Sequence, residues 1–150
     1  MNYSEIKAIC EIYKIVKYTI NDDGTVDVND KLVDLSYKNM TKLPLKFGKV
    51  TGDFCCSYNN LTSLEGSPIS VGGSFYCSNN ILTSLEGSPK YVDGYFCCYN
   101  NILTSLEGSP TSVGGRFWCW RNPLPREVID NPKAYLKQLN RDRLLNELID

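Results

Sequence analysis

The stretch FCCSYNNLTSLEGSP, residues 54–68, decides the fold because the chain repeats it twice more with few changes. The later copies are FYCSNNILTSLEGSP at residues 75–89 and FCCYNNILTSLEGSP at residues 96–110. Phenylalanine recurs at 54, 75, 96 and 117, and the columns that start at Val50, Gly52, Cys56, Asn59 and Leu61 keep the same step of 21. Six columns that hold one phase predict a stacked repeat protein.

The recurring residue types indicate one short strand and two bends per repeat. Phe54 and Cys56 lie two positions apart, so on a strand their side chains face the same side. One 21-residue copy cannot bury that apolar face alone, whereas stacked copies bury it against each other, as in a solenoid. The asparagine column needs partners for its amides, and we expect a ladder that hydrogen-bonds the backbone where each strand ends. Glycine before the strand and Gly-Ser-Pro after it mark the bends.

This pattern resembles the leucine-rich repeat, L-x-x-L-x-L-x-x-N-x-L. Phe54, Cys56, Asn59 and Leu61 match four of its marked columns, and the next three copies match at the same step. The repeat length is similar to that of the short bacterial and viral class, and the wording LTSLEGSP is similar to repeat proteins of bacteriophages and large DNA viruses. The resemblance implies an α/β-class, mostly β, leucine-rich-repeat solenoid with a parallel sheet on its concave side and an irregular convex side.

The two ends of the chain differ from the repeats, and we expect a helical cap at each. A single domain, 1–150, is predicted, with a helix and turn cap at 1–31, about four and a half repeats at 32–124 and a helical cap at 125–150. Apolar spacing over residues 4–20, with Ser4 as the cap, predicts the first helix, and TVDV at 25–28 predicts a short strand. Asn131 and Pro132 predict the start of a second helix with a leucine stripe from Leu136 to Leu148. That helix could instead dock a partner.

Composition narrows the function classes. The chain has 16 basic and 17 acidic residues and a net charge of −1, which gives no electrostatic argument for nucleic acid or an anionic membrane. It has no histidine, which excludes a histidine general base, a nucleophile–histidine pair and a histidine metal ligand. Neither a signal-peptide pattern nor a membrane-spanning apolar stretch is present, which predicts a soluble, cytoplasmic protein.

The seven cysteines are predicted to be reduced and structural, because their number is odd and no secretion signal precedes them. Four of them share the inward column, where free cysteine serves as a small apolar residue. These four are Cys56, Cys77, Cys98 and Cys119. Cys55 and Cys97 are expected on the outward face two coils apart, about 10 Å, which is too far for a disulfide.

The glutamates Glu65, Glu86 and Glu107 occupy one column on a predicted outer bend. Equivalent neighbours have equivalent surroundings, so nothing makes one an acid and the next a base. A solvated ridge is therefore expected, and we predict no enzyme activity, no cofactor and no metal. An enzyme or a cation site on the glutamate or cysteine columns is the alternative.

The columns that change between copies gather tyrosine, tryptophan and arginine on the outward side of the strands. These three residue types carry most hot-spot energy in protein interfaces. Trp118 and Trp120, the only tryptophans, stand two apart and so share a face, although Trp120 could equally cover the last coil. The predicted partner-binding residues are Tyr58, Tyr76, Tyr95, Tyr99, Arg116, Trp118, Trp120 and Arg121.

From these residues we predict a non-catalytic module that binds a protein partner through its concave sheet. The viral resemblance implies a phage protein and a host bacterial protein that it inhibits by occlusion. Single-stranded nucleic acid is the alternative ligand of the same face, because aromatic rings stack on bases. The near-neutral net charge argues against that alternative. The sequence leaves the oligomeric state open.

Overall fold

The computed structural model describes residues 1–149, and in that part of the chain helices occur only before and after a β-solenoid. The chain begins with α1 (Tyr3–Ile12), β1 (Tyr18–Ile20) and β2 (Val26–Val28) and ends with α2 (Arg126–Asp130) and α3 (Pro132–Ile149). The strands between them are β3 (Leu32–Asp34), β4 (Phe47–Val50), β5 (Asp53–Cys55), β6 (Ser70–Val71), β7 (Phe75–Tyr76), β8 (Tyr91–Val92), β9 (Phe96–Cys97), β10 (Ser112–Val113) and β11 (Phe117–Trp118). Asp150, the last residue of the predicted cap, lies outside the described residues.

Each coil contributes one strand to each of two sheets. The six-stranded sheet has the order β1-β2-β4-β6-β8-β10, and the five-stranded sheet has the order β3-β5-β7-β9-β11. All pairs are parallel except β1 with β2, and equivalent residues face each other, as Phe75 does Phe54 and Phe96. Five strand pairs, from β2–β3 to β10–β11, therefore span four turns. The predicted solenoid of stacked parallel strands is confirmed.

The six-stranded sheet differs from the prediction of one strand per repeat and an irregular opposite side. Its members carry the valine column, and Val50, Val71 and Val92 are buried. Their carbonyls accept hydrogen bonds from the next coil, as when the Asp93 N–H donates to the Val71 carbonyl at 3.0 Å. Strands β6, β8 and β10 are only two residues long, so they contain no alternation that a sequence pattern could show.

The core is a continuous stack of identical columns. The rings of Phe54, Phe75, Phe96 and Phe117 are buried, and their centroids lie 5.5, 5.4 and 4.9 Å apart from one coil to the next. The inward cysteines and the repeated leucines fill the rest of the interior. The predicted phenylalanine column is confirmed, and no coil buries its apolar side chains without its neighbours.

The asparagine ladder is also confirmed, and it joins consecutive coils. Asn80 Oδ1 accepts a hydrogen bond from the Leu61 N–H at 3.0 Å, and its Nδ2 donates to the carbonyls of Cys56 at 3.0 Å and Cys77 at 3.1 Å. The same pattern recurs at the equivalent positions Asn59, Asn101 and Asn122. Each amide thus satisfies backbone groups at the corner of its own coil and of the coil before it.

The first helix is shorter than predicted. Asn2, and not Ser4, is its cap, in a capping box with Glu5, and the helix ends at Ile12. Lys14 and Lys17 adopt left-handed backbone angles, φ 56° and 52°, which end the helical path before residues 18–20 form β1. The strand at 26–28 is present, and because β2 already pairs with β4, the stack begins before residue 32.

The C-terminal helix begins where the sequence predicts, but it packs along only part of its length. Asn131 Oδ1 accepts a hydrogen bond from the Ala134 N–H at 3.3 Å, as expected of a cap. Leu136 is buried, whereas Leu144 and Leu148 are 62% and 83% exposed. The predicted packing of the leucine stripe is therefore wrong beyond the middle of α3. The short helix α2 precedes it without a sequence signal.

The close approach of consecutive coils at the outer bend predicts an unequal pair of glycine substitutions. Gly24 and Gly87 both have positive φ, +82° and +86°, so alanine strains either backbone by about 1–2 kcal/mol. A Cβ on Gly87 would also lie 2.8 Å from the Leu64 carbonyl carbon, whereas Gly24 has open space. In urea denaturation, Gly87→Ala should lower the free energy of unfolding by at least ~1 kcal/mol more than Gly24→Ala. Equal losses would show that the coils tolerate a wider spacing.

The ladder predicts a second contrast, between adjacent asparagines. Asn59 is buried and its Oδ1 accepts from the N–H groups of Lys38 and Met40, whereas Asn60 is exposed. Asn59→Ala should lower the free energy of unfolding by about 1–3 kcal/mol because it leaves buried polar groups without partners. Asn60→Ala should change it by less than about 0.5 kcal/mol. Denaturant titration of both variants measures the difference, and a loss at Asn60 that matches Asn59 would contradict the ladder.

Candidate functional site

The outward side of the five-stranded sheet collects most of the large side chains that vary between coils. We call this surface the aromatic face. It comprises Tyr37, Tyr58, Tyr76, Tyr95, Tyr99, Trp118, Trp120, Arg116 and Arg121. The eight residues predicted from the sequence all lie on it. Tyr37 is missing from that predicted set, although it stands 21 residues before Tyr58 in the degenerate first copy.

One column of this face lies at a corner where the backbone is left-handed. Tyr58, Asn79, Asn100 and Arg121 have φ between 54° and 57°, and Tyr37 matches them at 55°. Asparagine tolerates this conformation, but tyrosine and arginine are strained by it. After Tyr37 the next residue is Lys38, whose N–H donates to Asn59 Oδ1 at 2.9 Å. In the other coils the next residue is the ladder asparagine, which turns inward. The residue before it therefore projects to the outside, whatever its type.

Two pairs of rings stack between neighbouring coils. The centroids of Tyr37 and Tyr58 lie 4.4 Å apart with planes 9° from parallel, and those of Tyr99 and Trp120 lie 4.1 Å apart at 4°. The guanidinium of Arg121 lies 5.4 Å from the centre of the Trp120 ring. Because each pair stacks between neighbouring coils, one face of each ring is covered by its partner.

A third aromatic pair covers a cysteine. The rings of Tyr95 and Trp118 lie 5.3 Å apart at 39°, and in the sheet Cys97 stands between Tyr76 and Trp118. Cys97 is on the outward side as predicted, but it is fully buried there. Burial raises the pKa of its thiol to about 12, so it is a neutral group under the rings and not an accessible nucleophile.

Two serines on the strand side of this face, each directly after an inward cysteine, are also buried. Ser57 and Ser78 are 6% and 1% exposed, and the Ser78 hydroxyl has no hydrogen-bond partner among the described residues. They precede Tyr99 and Trp120 in the same column. Because serine is small, the column rises from buried to exposed along the solenoid. The aromatic face therefore divides into a Tyr37–Tyr58 stack and a Tyr99–Trp120 stack, with the coil of Ser78 between them.

Charge is distributed unevenly along the face. Asp34 and Asp53 lie towards the N-terminal end, where hydrogen bonds from the Ser36 hydroxyl and N–H hold the pKa of the Asp34 carboxyl below its usual value. Arg116 and Arg121 lie at the C-terminal end. Within residues 1–149 the ion pairs are Lys17–Asp30 and Arg126–Asp130, so neither arginine of the face is paired. Lys38 lies near enough to Asp34 to lower the pKa of that carboxyl further, so the N-terminal end carries charges of both signs, whereas the C-terminal end carries the two arginines.

The cysteine columns are buried or half-buried, and the glutamate column is exposed. All seven cysteines are free, and the Cys56 and Cys77 thiols donate to carbonyls of the next coil at 3.4 Å. The three repeated glutamates are exposed on the bend. In the part of the chain that the structure describes, no group of three or more cysteine, aspartate or glutamate side chains is placed to hold a metal ion.

Comparison with known proteins adds no assignment. No family model, curated protein or solved structure matches the chain. Among residues 1–149, no helix is both long enough and apolar enough to cross a membrane.

The buried thiols predict an alkaline loss of stability. Burial raises the pKa of Cys56, Cys77 and Cys98 well above the ordinary value of 9.0, so above about pH 9 the unfolded chain loses protons that the folded chain keeps. Below that pH the thiols should leave the free energy of unfolding unchanged. Above it, the free energy of unfolding should fall by about 1.4 kcal/mol per pH unit for each such thiol. Denaturant titrations between pH 8 and 11 measure how the free energy of unfolding changes with pH. Its fall per pH unit above pH 9 should be smaller by about 1.4 kcal/mol in Cys56→Ala.

Val71→Ala is the control, because it removes buried apolar atoms and no thiol. It should lower stability about equally at every pH. Reductant should leave the melting temperature unchanged, since the cysteines are free. An unchanged slope in Cys56→Ala, or a melting temperature that falls with reductant, would contradict this account of the core.

Proposed function

We propose that this chain is a non-catalytic module that binds a partner protein through its aromatic face. The observation that carries the proposal is the concentration of tyrosine, tryptophan and arginine on one side of a solenoid whose core columns barely vary, and within residues 1–149 these arginines have no ion-pair partner. Tyr58, Tyr95 and Trp120 are 46%, 42% and 41% exposed, which are large fractions for aromatic residues. Such residues supply most of the binding energy in protein interfaces.

The arrangement of the rings favours a protein over single-stranded nucleic acid. Bases bind by stacking on free aromatic faces. Here Tyr58 and Tyr99 each have one face occupied by a neighbouring ring at 4.4 or 4.1 Å. Stacked rings are held rigidly, and their edges and the tyrosine hydroxyls suit shape matching and hydrogen bonding to a protein surface. Asp34 and Asp53 on the same face would also repel a phosphate backbone.

The proposal gives no catalytic role to the cysteine or glutamate columns. Burial raises the pKa of the inward thiols, which keeps them as neutral groups, and Cys97 lies beneath aromatic rings. Glu65, Glu86 and Glu107 are exposed and equivalent, so no environment separates an acid from a base. A structural role in the core and a solvated ridge account for both columns.

We also propose that the solenoid is of the leucine-rich-repeat type, with α1 and α3 as its caps. The inward Phe and Cys columns and the asparagine ladder support this type, whereas the second parallel sheet departs from the irregular side expected of the short class. Buried Ile6, Cys10 and Leu136 support the caps. The similarity in wording to viral repeat proteins extends the proposal to a phage protein that occludes a protein in the host cytoplasm.

Paired triple variants test the binding proposal. Replacing Tyr76, Tyr95 and Trp118 with alanine removes the centre of the aromatic face and no inward column. With tagged protein as bait in bacterial lysate, retained partner measured against bait concentration should give an affinity weaker by at least about 30-fold, the equivalent of 2 kcal/mol. Replacing Glu65, Glu86 and Glu107 with glutamine should leave it within a few-fold. Circular dichroism of both variants should match the unsubstituted protein.

The opposite pattern would overturn the proposal. If the glutamine variant loses a partner that the alanine variant retains, the working surface is the outer bend. If the alanine variant unfolds, Trp118→Phe and Tyr95→Phe separate the contribution of the rings to folding from that of the tyrosine hydroxyl and the indole N–H. A folded phenylalanine variant with unchanged retention would still argue against polar recognition by this face.

A further inference from the structure

A cleft of about 470 Å³ lies at the C-terminal end of the aromatic face, between the last coil and the junction of α2 with α3. Tyr95 and Trp118 line it from the sheet, together with Phe117 of the core, and Lys133 lines it from the helix. Arg116 lines it as well. The volume lies within the range of cavities that bind small ligands or single side chains.

The cleft combines an apolar wall with two cations that lack partners. Within residues 1–149 neither Arg116 nor Lys133 forms an ion pair, and both side chains are exposed. The first turn of α3 contains no acidic residue, so Lys133 adds its charge to the positive end of the helix dipole. Two exposed cations beside a helix N-terminus attract an anion to this end of the cleft. The rings of Tyr95 and Trp118, tilted by 39°, provide an apolar surface at the same place.

We propose that this cleft receives an acidic segment of the partner protein, with a carboxylate at Arg116 and Lys133 and the adjoining apolar side chain against Tyr95 and Trp118. The inference rests on the proposed protein-binding function and specifies the chemistry and the direction of docking. Arg116 and Lys133 both line the cleft at the C-terminal end of the face, so the acidic end of the partner lies over the last coil.

A nucleic-acid strand fits this charge distribution less well. A phosphodiester backbone carries charge at every nucleotide, and the N-terminal end of the face carries Asp34 and Asp53 together with Lys38, so a strand along the face would meet charges of both signs. A single carboxylate next to an apolar group needs cations at one end only. Charge complementarity therefore favours a local acidic motif over a uniform polyanion.

Fragment binding tests the chemistry of the cleft directly. In the Trp120→Phe background Trp118 is the only tryptophan, so its fluorescence reports the cleft while a ring still stacks on Tyr99. The probe is 3-phenylpropionate, and its neutral amide and 3-phenylpropylamine are the comparisons. Quenching by 3-phenylpropionate should saturate in the low millimolar range expected for so small a ligand. The amide should bind at least about tenfold more weakly, because it lacks the charge-assisted hydrogen bonds.

A double variant with a matched control locates the effect. Arg116→Gln with Lys133→Gln should bring 3-phenylpropionate to the level of the amide, whereas Lys90→Gln, which removes an exposed cation outside both the cleft lining and the aromatic face, should leave the preference for the carboxylate unchanged. Equal binding of carboxylate and amide, or no saturable quenching, would overturn the inference. Displacement of 3-phenylpropionate by a dT10 oligonucleotide, abolished in the double variant, would overturn it in favour of nucleic acid.

The capture experiment separates this inference from the proposed function. The Arg116→Gln, Lys133→Gln variant should lose affinity for the retained partner by at least about tenfold. If it retains the partner while the alanine variant at Tyr76, Tyr95 and Trp118 does not, the cleft is not the docking point and this inference fails, but the proposed function stands. If neither variant affects retention, both fail.

Discussion

The buried asparagine amide at the corner of each coil is the interaction on which the rest of the structure depends. A 21-residue coil has carbonyl and N–H groups at its corner that no strand partner reaches, and burying them unpaired is costly. Asn80 meets groups of its own coil and of the preceding one with a single side chain. The corners are thereby held one above another. In-register strands and stacked phenylalanines follow from that alignment.

The same corner explains why the outer surface is free to differ between coils. The residue before the asparagine must be left-handed and point outward, so the backbone and not the side chain determines its position. Tyrosine, asparagine and arginine all occupy it. Adjacent strands of a sheet lie about 4.8 Å apart, a spacing close to the 4.1 and 4.4 Å between the stacked rings. The solenoid thus holds aromatic side chains at a separation that suits their mutual packing, and the resulting surface is rigid.

The sequence predicts best the features that recur in every 21-residue copy. The Phe and Cys columns, the ladder and the outward position of Tyr95 and Trp118 all follow from the phase of 21 residues. Features that depend on how different coils meet could not be predicted. Cys97 is buried because aromatic residues happen to flank it, and no property of Cys97 itself signals this. The second sheet is built from strands of two residues, which are too short for a periodic signal.

The C-terminal region also combines a feature that the sequence predicts with one that it does not. Asn131 and Pro132 mark the start of α3 correctly, since capping is a local property. Leucine spacing does not say which face of α3 meets the solenoid or for how many turns, and only Leu136 is buried. The cleft beside Lys133 depends on that packing and had no counterpart in the sequence pattern.

The near-identity of the coils has a consequence for how the chain finds its register. If the coil of Phe75 were looped out, Phe96 would lie on Phe54 and Asn101 would meet the corner of Cys56, with hardly any change in the core. The interior therefore distinguishes poorly between a correct stack and one that has slipped by a whole coil. The parts that do distinguish them are unique in sequence: the hairpin of β1 and β2, the terminal helices and the two ring pairs of the outer face. Residues outside the repeated core columns therefore determine which coil stacks on which.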